Sequence, residues 1–131
     1  MRNLFVIALA LVLTACQTTT PGLSGAVNPF PEVRTQAPAH VRVYRVAAGV
    51  LTASQKVTLT INGREIYNFK NGERVDFDMD PGEYRFGARG IHNFRMETVN
   101  NEIYAYLEAG RSYSFQINPS MYSHSITRSN N

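Results

Sequence analysis

The chain has 131 residues, one cysteine, no tryptophan and a formal net charge of +3. That length suits a single domain. The mild charge excess is far from the balance of a nucleic-acid binder, and a lone cysteine excludes an internal disulfide.

The first element reads as an export signal. Arg2 supplies a positive start, and Leu4 to Leu13 form an apolar run too short for a transmembrane helix, which needs about 20 residues. Leu13-Thr14-Ala15-Cys16 then places an aliphatic residue and two small residues before the cysteine. This resembles the lipobox of bacterial lipoproteins. The resemblance implies cleavage between Ala15 and Cys16, a diacylglyceryl group on the Cys16 sulfur and an acyl group on its amine. The expectation is therefore a signal peptide over residues 1–15 and a membrane contact through the lipid on Cys16. Gln17 follows the cysteine where Asp would signal retention, so the resemblance further implies the outer membrane, facing the periplasm.

Residues 16–39 read as the lipidated N-terminus and a flexible tether, because Pro21-Gly22, Pro29, Pro31 and Pro38 break regular structure. Within it, Gly25 to Phe30 suit an edge segment. From His40 the apolar period becomes two, the mark of half-buried strands. Val41 and Val43 alternate with Arg42 and Tyr44, and Val57, Leu59 and Ile61 alternate with Thr58 and Thr60. Asn62-Gly63 is a strong hairpin signal, followed by a strand over residues 64–69. Asn71-Gly72 reads as a second hairpin turn before Val75, Phe77 and Met79. Two-residue loops at both turns pair Ile61 with Arg64, Leu59 with Ile66, Lys70 with Glu73 and Ile66 with Phe77. This predicts an apolar row across a three-stranded meander.

Asp80-Pro81-Gly82-Glu83 suits a type II turn, which splays a hairpin and carries the chain to a second sheet. Tyr84, Phe86 and Ala88 then point inward. Residues 89–100 read as a long loop with a short strand in it. Ile103, Ala105 and Leu107 point inward while Tyr104 and Tyr106 point out; Ala109-Gly110 turns the chain, and Tyr113, Phe115 and Ile117 mark the last clear strand. No amphipathic helix follows residue 16. The prediction is an all-β, two-sheet antiparallel sandwich of about seven strands over residues 40–118. Residues 119–131 read as a polar, mobile tail in which Tyr122 and Ile126 are able to dock.

The order His40-Val-Arg-Val-Tyr-Arg45, Val57-Thr-Leu-Thr-Ile-Asn-Gly-Arg-Glu-Ile66, Asp80-Pro-Gly-Glu-Tyr84 and Leu107-Glu-Ala-Gly-Arg-Ser-Tyr113 resembles the small PEGA-like lipoproteins of unknown function. The resemblance implies an immunoglobulin- or transthyretin-like sandwich, a closing hairpin before the last strand, and no known catalytic residues. Val27-Asn28-Pro29 followed by Val41-Arg-Val-Tyr44 is also similar to the lipoprotein of type VI secretion systems, though the downstream motifs do not follow.

Candidate chemistry is sparse. Asp76, Asp78 and Asp80 share a strand face, but a calcium loop needs Gly directly after the third acid and a Glu at its twelfth position. Pro81 and Gly87 stand there instead, so the three read as a solvated face with Asp78 near Arg85. His40, His92 and His124 lack ligand spacing and read as surface or loop residues. Ser112, Ser114, Ser123 and Ser125 lack a nucleophile-elbow context, and Glu97, Glu102 and Glu108 form no recognisable acid–base pair. No catalytic residue, metal ligand or cofactor is assigned. Tyr104 and Tyr106, with Arg42, Tyr44 and Arg45 enriching the same outer surface, form the candidate binding surface, since aromatic plus Arg is an interface composition. The leading expectation is a non-enzymatic module of the bacterial envelope that binds a protein or the cell wall, with no nucleic-acid partner. The alternatives are an accessory lipoprotein of a secretion assembly, or a small metal-binding or hydrolytic protein using the His92 loop.

Overall fold

The computed structural model describes residues 25–92, 95–96, 101–120 and 124–129. The predicted export signal, Ala15 and Cys16 lie outside these. Among the described residues the strands are β1 (Ala39–Arg45), β2 (Lys56–Ile61), β3 (Arg64–Phe69), β4 (Arg74–Met79), β5 (Gly82–His92), β6 (Arg95–Met96), β7 (Asn101–Leu107), β8 (Ser112–Pro119) and β9 (His124–Ser129). One four-residue helix, α1 (Val50–Ala53), interrupts the β1–β2 connection.

The predicted sandwich forms. One sheet has the order β4-β1-β8-β9; the other runs β3-β2-β5, with β6 and β7 sharing the far side of β5. Among the described residues every ladder is antiparallel except one: β1 runs parallel to β8, with Val41 beside Tyr113 and Val43 beside Phe115. An immunoglobulin order would place the first two strands side by side. Here β1 and β2 lie in different sheets, so the strand order is not the immunoglobulin one.

The alternating apolar residues meet between the sheets as their period demands. Val41, Val43, Leu59, Met79, Phe86, Ala88, Leu107 and Ile117 are buried, and Phe86 stacks on Phe115 with ring centroids 4.4 Å apart. Each large side chain buried this way stabilises the fold by roughly 1.5–3 kcal/mol.

The turns behave unequally. Asn62 and Gly63 both take positive φ, 52° and 79°, and Ile61 faces Arg64 as predicted. Beyond the turn the register shifts. Thr60 faces Glu65 but Leu59 faces Tyr67, so Ile66 is the extra residue of a bulge. Ile66 and Tyr67 are both buried, a placement strict alternation forbids and a bulge permits.

The Asn71-Gly72 hairpin is overturned. Gly72 takes φ 71° and Asn71 has no positive φ, so the double left-handed turn that joins strands closely is not formed. Instead the chain crosses between sheets, and β4 pairs with β1, Val43 opposite Val75 and Val41 opposite Phe77. The apolar row through Ile66 and Phe77 therefore does not form. Glu73 builds this corner: its carboxylate accepts the Tyr67 hydroxyl at 2.6 Å and the Lys70 N–H at 2.7 Å.

The predicted crossing after β4 is present, although Gly82 sits at φ 150° rather than the type II value near +80°. The Tyr84 hydroxyl donates to the Asp80 carbonyl at 2.8 Å and ties that corner. The turn at Gly110 also crosses: β7 pairs with β5, while β8 lies between β1 and β9. The closing hairpin implied by the resemblance is absent from the described residues for this reason.

Both ends of the module extend past the boundaries read from sequence. Residues 25–28 lie along β3, with Val27 N–H donating to the Ile66 carbonyl at 2.9 Å. Within the segment read as a tail, β9 pairs with β8, and Ile126 is buried opposite Ile117.

Candidate functional site

The residues proposed as one binding surface are divided between the two outer faces of the sandwich. Tyr104 and Tyr106 project from β7, 71% and 66% exposed. Opposite them on β5 stand Arg85 and Glu83. Arg85 reaches the Glu102 carboxylate at 3.1 Å. Farther across this face the polar groups cover one another. Arg89 bridges to Glu65 at 2.9 Å, and the Thr58 hydroxyl donates to the Asn68 side-chain oxygen at 2.6 Å. Thr60 is buried although it points outward, because its hydroxyl occupies the space that a side chain at Gly87 would fill. The tyrosine pair is thus the exposed aromatic feature of a face that carries the Arg85–Glu102 and Arg89–Glu65 ion pairs.

Arg42 and Tyr44 lie on β1, in the other sheet, so their side chains face the opposite way and do not join the tyrosine pair. Arg42 Nε donates to Asp76 at 2.7 Å, and Arg74 approaches the same carboxylate at 3.3 Å. An open groove of about 770 Å³ runs over this face past Phe30, Val33, His40, Arg42, Asp76 and Asp78. A smaller one of about 390 Å³ is lined by Arg42, Tyr44, Arg74 and Gln116.

Arg45 does not belong to either outer face. It has the same parity as Val41 and Val43, which turns it inward, and it is 1% exposed. Its guanidinium donates to the carbonyls of Phe69 at 2.9 Å and Thr52 at 3.1 Å. Burial lowers its pKa from the ordinary value, though arginine remains charged in proteins. A charged residue at a buried parity was the available signal in the sequence.

The three aspartates serve three different partners. Asp76 holds Arg42 and Arg74. Asp78 holds His40 Nδ1 at 2.5 Å, not Arg85 as the sequence suggested, because β4 lies beside β1 rather than beside β5. Asp80 accepts the backbone N–H groups of Arg34 and Thr35 at 2.9 and 3.1 Å. Among the described residues no group of three or more His, Cys, Asp or Glu is placed to hold a metal ion. Ser112 lies beside His40 in the parallel ladder, and Glu108 pairs with Arg111 at 2.8 Å.

His124 is a further correction. It is 2% exposed rather than a surface residue, and its ring occupies the space that a side chain at Gly90 would take. The Asn101 side chain donates to its carbonyl at 2.5 Å, joining the two sheets. Nothing local in the sequence links Gly90 to His124; only the meeting of β5 and β9 does. The candidate residues Glu97, Tyr122 and Ser123 lie outside the described residues, as does the side chain of His92. No helix among the described residues is long and apolar enough to cross a membrane. No family model matches the chain, and no curated protein matches it.

Proposed function

We propose that this chain is a lipid-anchored, non-enzymatic module of the bacterial cell envelope, held to the membrane through Cys16 and binding a protein partner through Tyr104 and Tyr106. The anchor rests on the apolar run and the Leu13-Thr14-Ala15-Cys16 motif, and Gln17 favours the outer membrane. The observation that carries the binding role is the exposure of two neighbouring tyrosines on one strand, flanked across the ladder by Arg85 and Glu83. Aromatic residues of this kind concentrate binding energy, often 2 kcal/mol or more each. The PEGA-like resemblance implies a sandwich of this kind and no catalytic residues, although the closing hairpin it also implies is absent from the described residues.

Crosslinking in intact envelopes tests the reading. The wild-type chain is expected to capture a defined partner, and Tyr104→Ala with Tyr106→Ala is expected to lose it. Both side chains stand in water, so the double variant should keep its stability within about 0.5 kcal/mol. Unchanged capture by that variant would remove the tyrosines from the interface. Cys16→Ser should abolish fractionation with membranes; retention at the wild-type level would end the anchor reading.

A further inference from the structure

Two features far apart in sequence meet at one end of the sandwich. The described chain enters at Gly25, whose carbonyl accepts the Asn68 N–H at 2.7 Å. Asn68 is the penultimate residue of β3, and Phe69 beside it faces Val57 at the start of β2. The β1–β2 connection arrives at that same end. Its residues 46–55 contain no charged side chain, and Val50 within it is 92% exposed.

The connection is held in place. Buried Arg45 binds the carbonyls of Thr52 and Ala53, and the Asn71 side chain accepts the Ala48 N–H at 2.8 Å. A single exposed valine carries no message by itself; its surroundings do. Lys56 and Lys70 are exposed at this end, Arg74 there is paired with the Asp76 carboxylate at 3.3 Å, and the Glu73 carboxylate is occupied by Tyr67 and the Lys70 amide. Glu32, Asp78, Asp80, Glu83 and Glu108 lie toward the opposite end, together with Arg34, Arg64 and Arg111.

We infer that the end carrying Val50 faces the lipid surface, with Val50 entering the headgroup region and Lys56 and Lys70 lying over anionic headgroups. This rests on the Cys16 anchor proposed above. Reach supports it. Eight residues separate Cys16 from Gly25, and fully extended they span at most about 30 Å. With the domain inverted, the length of β3, about 20 Å at 3.3 Å per residue, would take up most of that reach and leave only about 10 Å between the lipid and the domain, whereas the orientation inferred leaves all of it. The cations suit an anionic surface, where each basic residue adds attraction. The same orientation leaves Tyr104 and Tyr106, paired near the Gly82 end of β5, clear of the bilayer.

The chain has no tryptophan, so Val50→Trp introduces a single reporter at an exposed site, and Glu83→Trp places one at the opposite end. The lipidated full chain is reconstituted into vesicles of phosphatidylethanolamine and phosphatidylglycerol containing a nitroxide lipid. The indole at position 50 is expected to shift to the blue and lose about half its emission, as for a side chain at the headgroup boundary. The indole at position 83 is expected to stay water-exposed. Equal exposure of both reporters on protein that floats with the vesicles overturns this orientation and leaves the anchor intact. Protein that does not float overturns the anchor and the orientation together. Shielding at position 50 in native envelopes but not in protein-free vesicles assigns the tip to a protein partner and overturns the lipid contact.

Discussion

The two long edges of the sandwich are closed in different ways. Beside β3 and β4, the segment before β1 does the work with side chains. Phe30 fits against Tyr67 and Phe77, with centroids 6.3 and 4.7 Å away, and Asp80 pins the backbone of Arg34 and Thr35. On the other side the last strand, β9, closes the edge through a six-pair ladder with β8 and inserts His124 against Gly90. The first closure leaves Phe30 and Phe77 half-buried, whereas the second is continuous with the core. An edge sealed by a backbone ladder and a buried ring should therefore tolerate less than one sealed by a half-exposed side chain.

The largest effect should come from Gly90→Ala. Its methyl needs the volume of the His124 ring, so β9 or β5 must shift, at a cost of about 3 kcal/mol, the upper part of the range for overpacking. Denaturant midpoints measure it, with Gly49→Ala as control, since nothing lies within 4 Å of a side chain there. Wild-type stability of Gly90→Ala would mean that the ring is not held in the core. Phe30→Ala should cost about 1.5 kcal/mol, because only part of a phenylalanine is withdrawn from water. A loss as large as that of Gly90→Ala would erase the distinction between the edges.

The smallest effect, about 1 kcal/mol for one hydrogen bond, is expected of Tyr67→Phe, and pH sharpens it. The Tyr67 phenol is pushed up from 10.0 to about 12, first by burial and then by the hydrogen bond and charge of Glu73. Folding thus favours the neutral phenol. Its contribution is fully present below pH 10 and is lost as pH rises from 10 to about 12. Stability measured across that window should fall less steeply in Tyr67→Phe than in wild type. Parallel curves would show that Tyr67 titrates like a free tyrosine. Part of the decline should remain, since burial and the Asp80 charge also raise the Tyr84 phenol.

Much of the fold was legible in short stretches of sequence. Alternation predicted the inward faces of β1, β2, β4, β5, β7 and β8, and it also predicted that Tyr104 and Tyr106 point outward. Asn62-Gly63 made the expected hairpin. The candidate surface was less legible, because alternation states which side of its own sheet a residue faces and nothing about which sheet that is. Arg42 and Tyr44 were joined to Tyr104 and Tyr106 on parity alone, and the fold places them on opposite outer faces. Arg45 was misplaced for the reverse reason: its charge was given more weight than its parity.

What the sequence determined by itself is local: strand periods, the Asn62-Gly63 turn and the chemical character of each face. What only the tertiary structure decided is non-local. That includes the crossing at Asn71-Gly72, the parallel pairing of β1 with β8, the bulge at Ile66 and the burial of His124 over Gly90. A residue's side-chain direction follows from the pleat of its own strand. The choice of neighbouring strand instead depends on burying both inner faces at once, and no single stretch of chain contains that information.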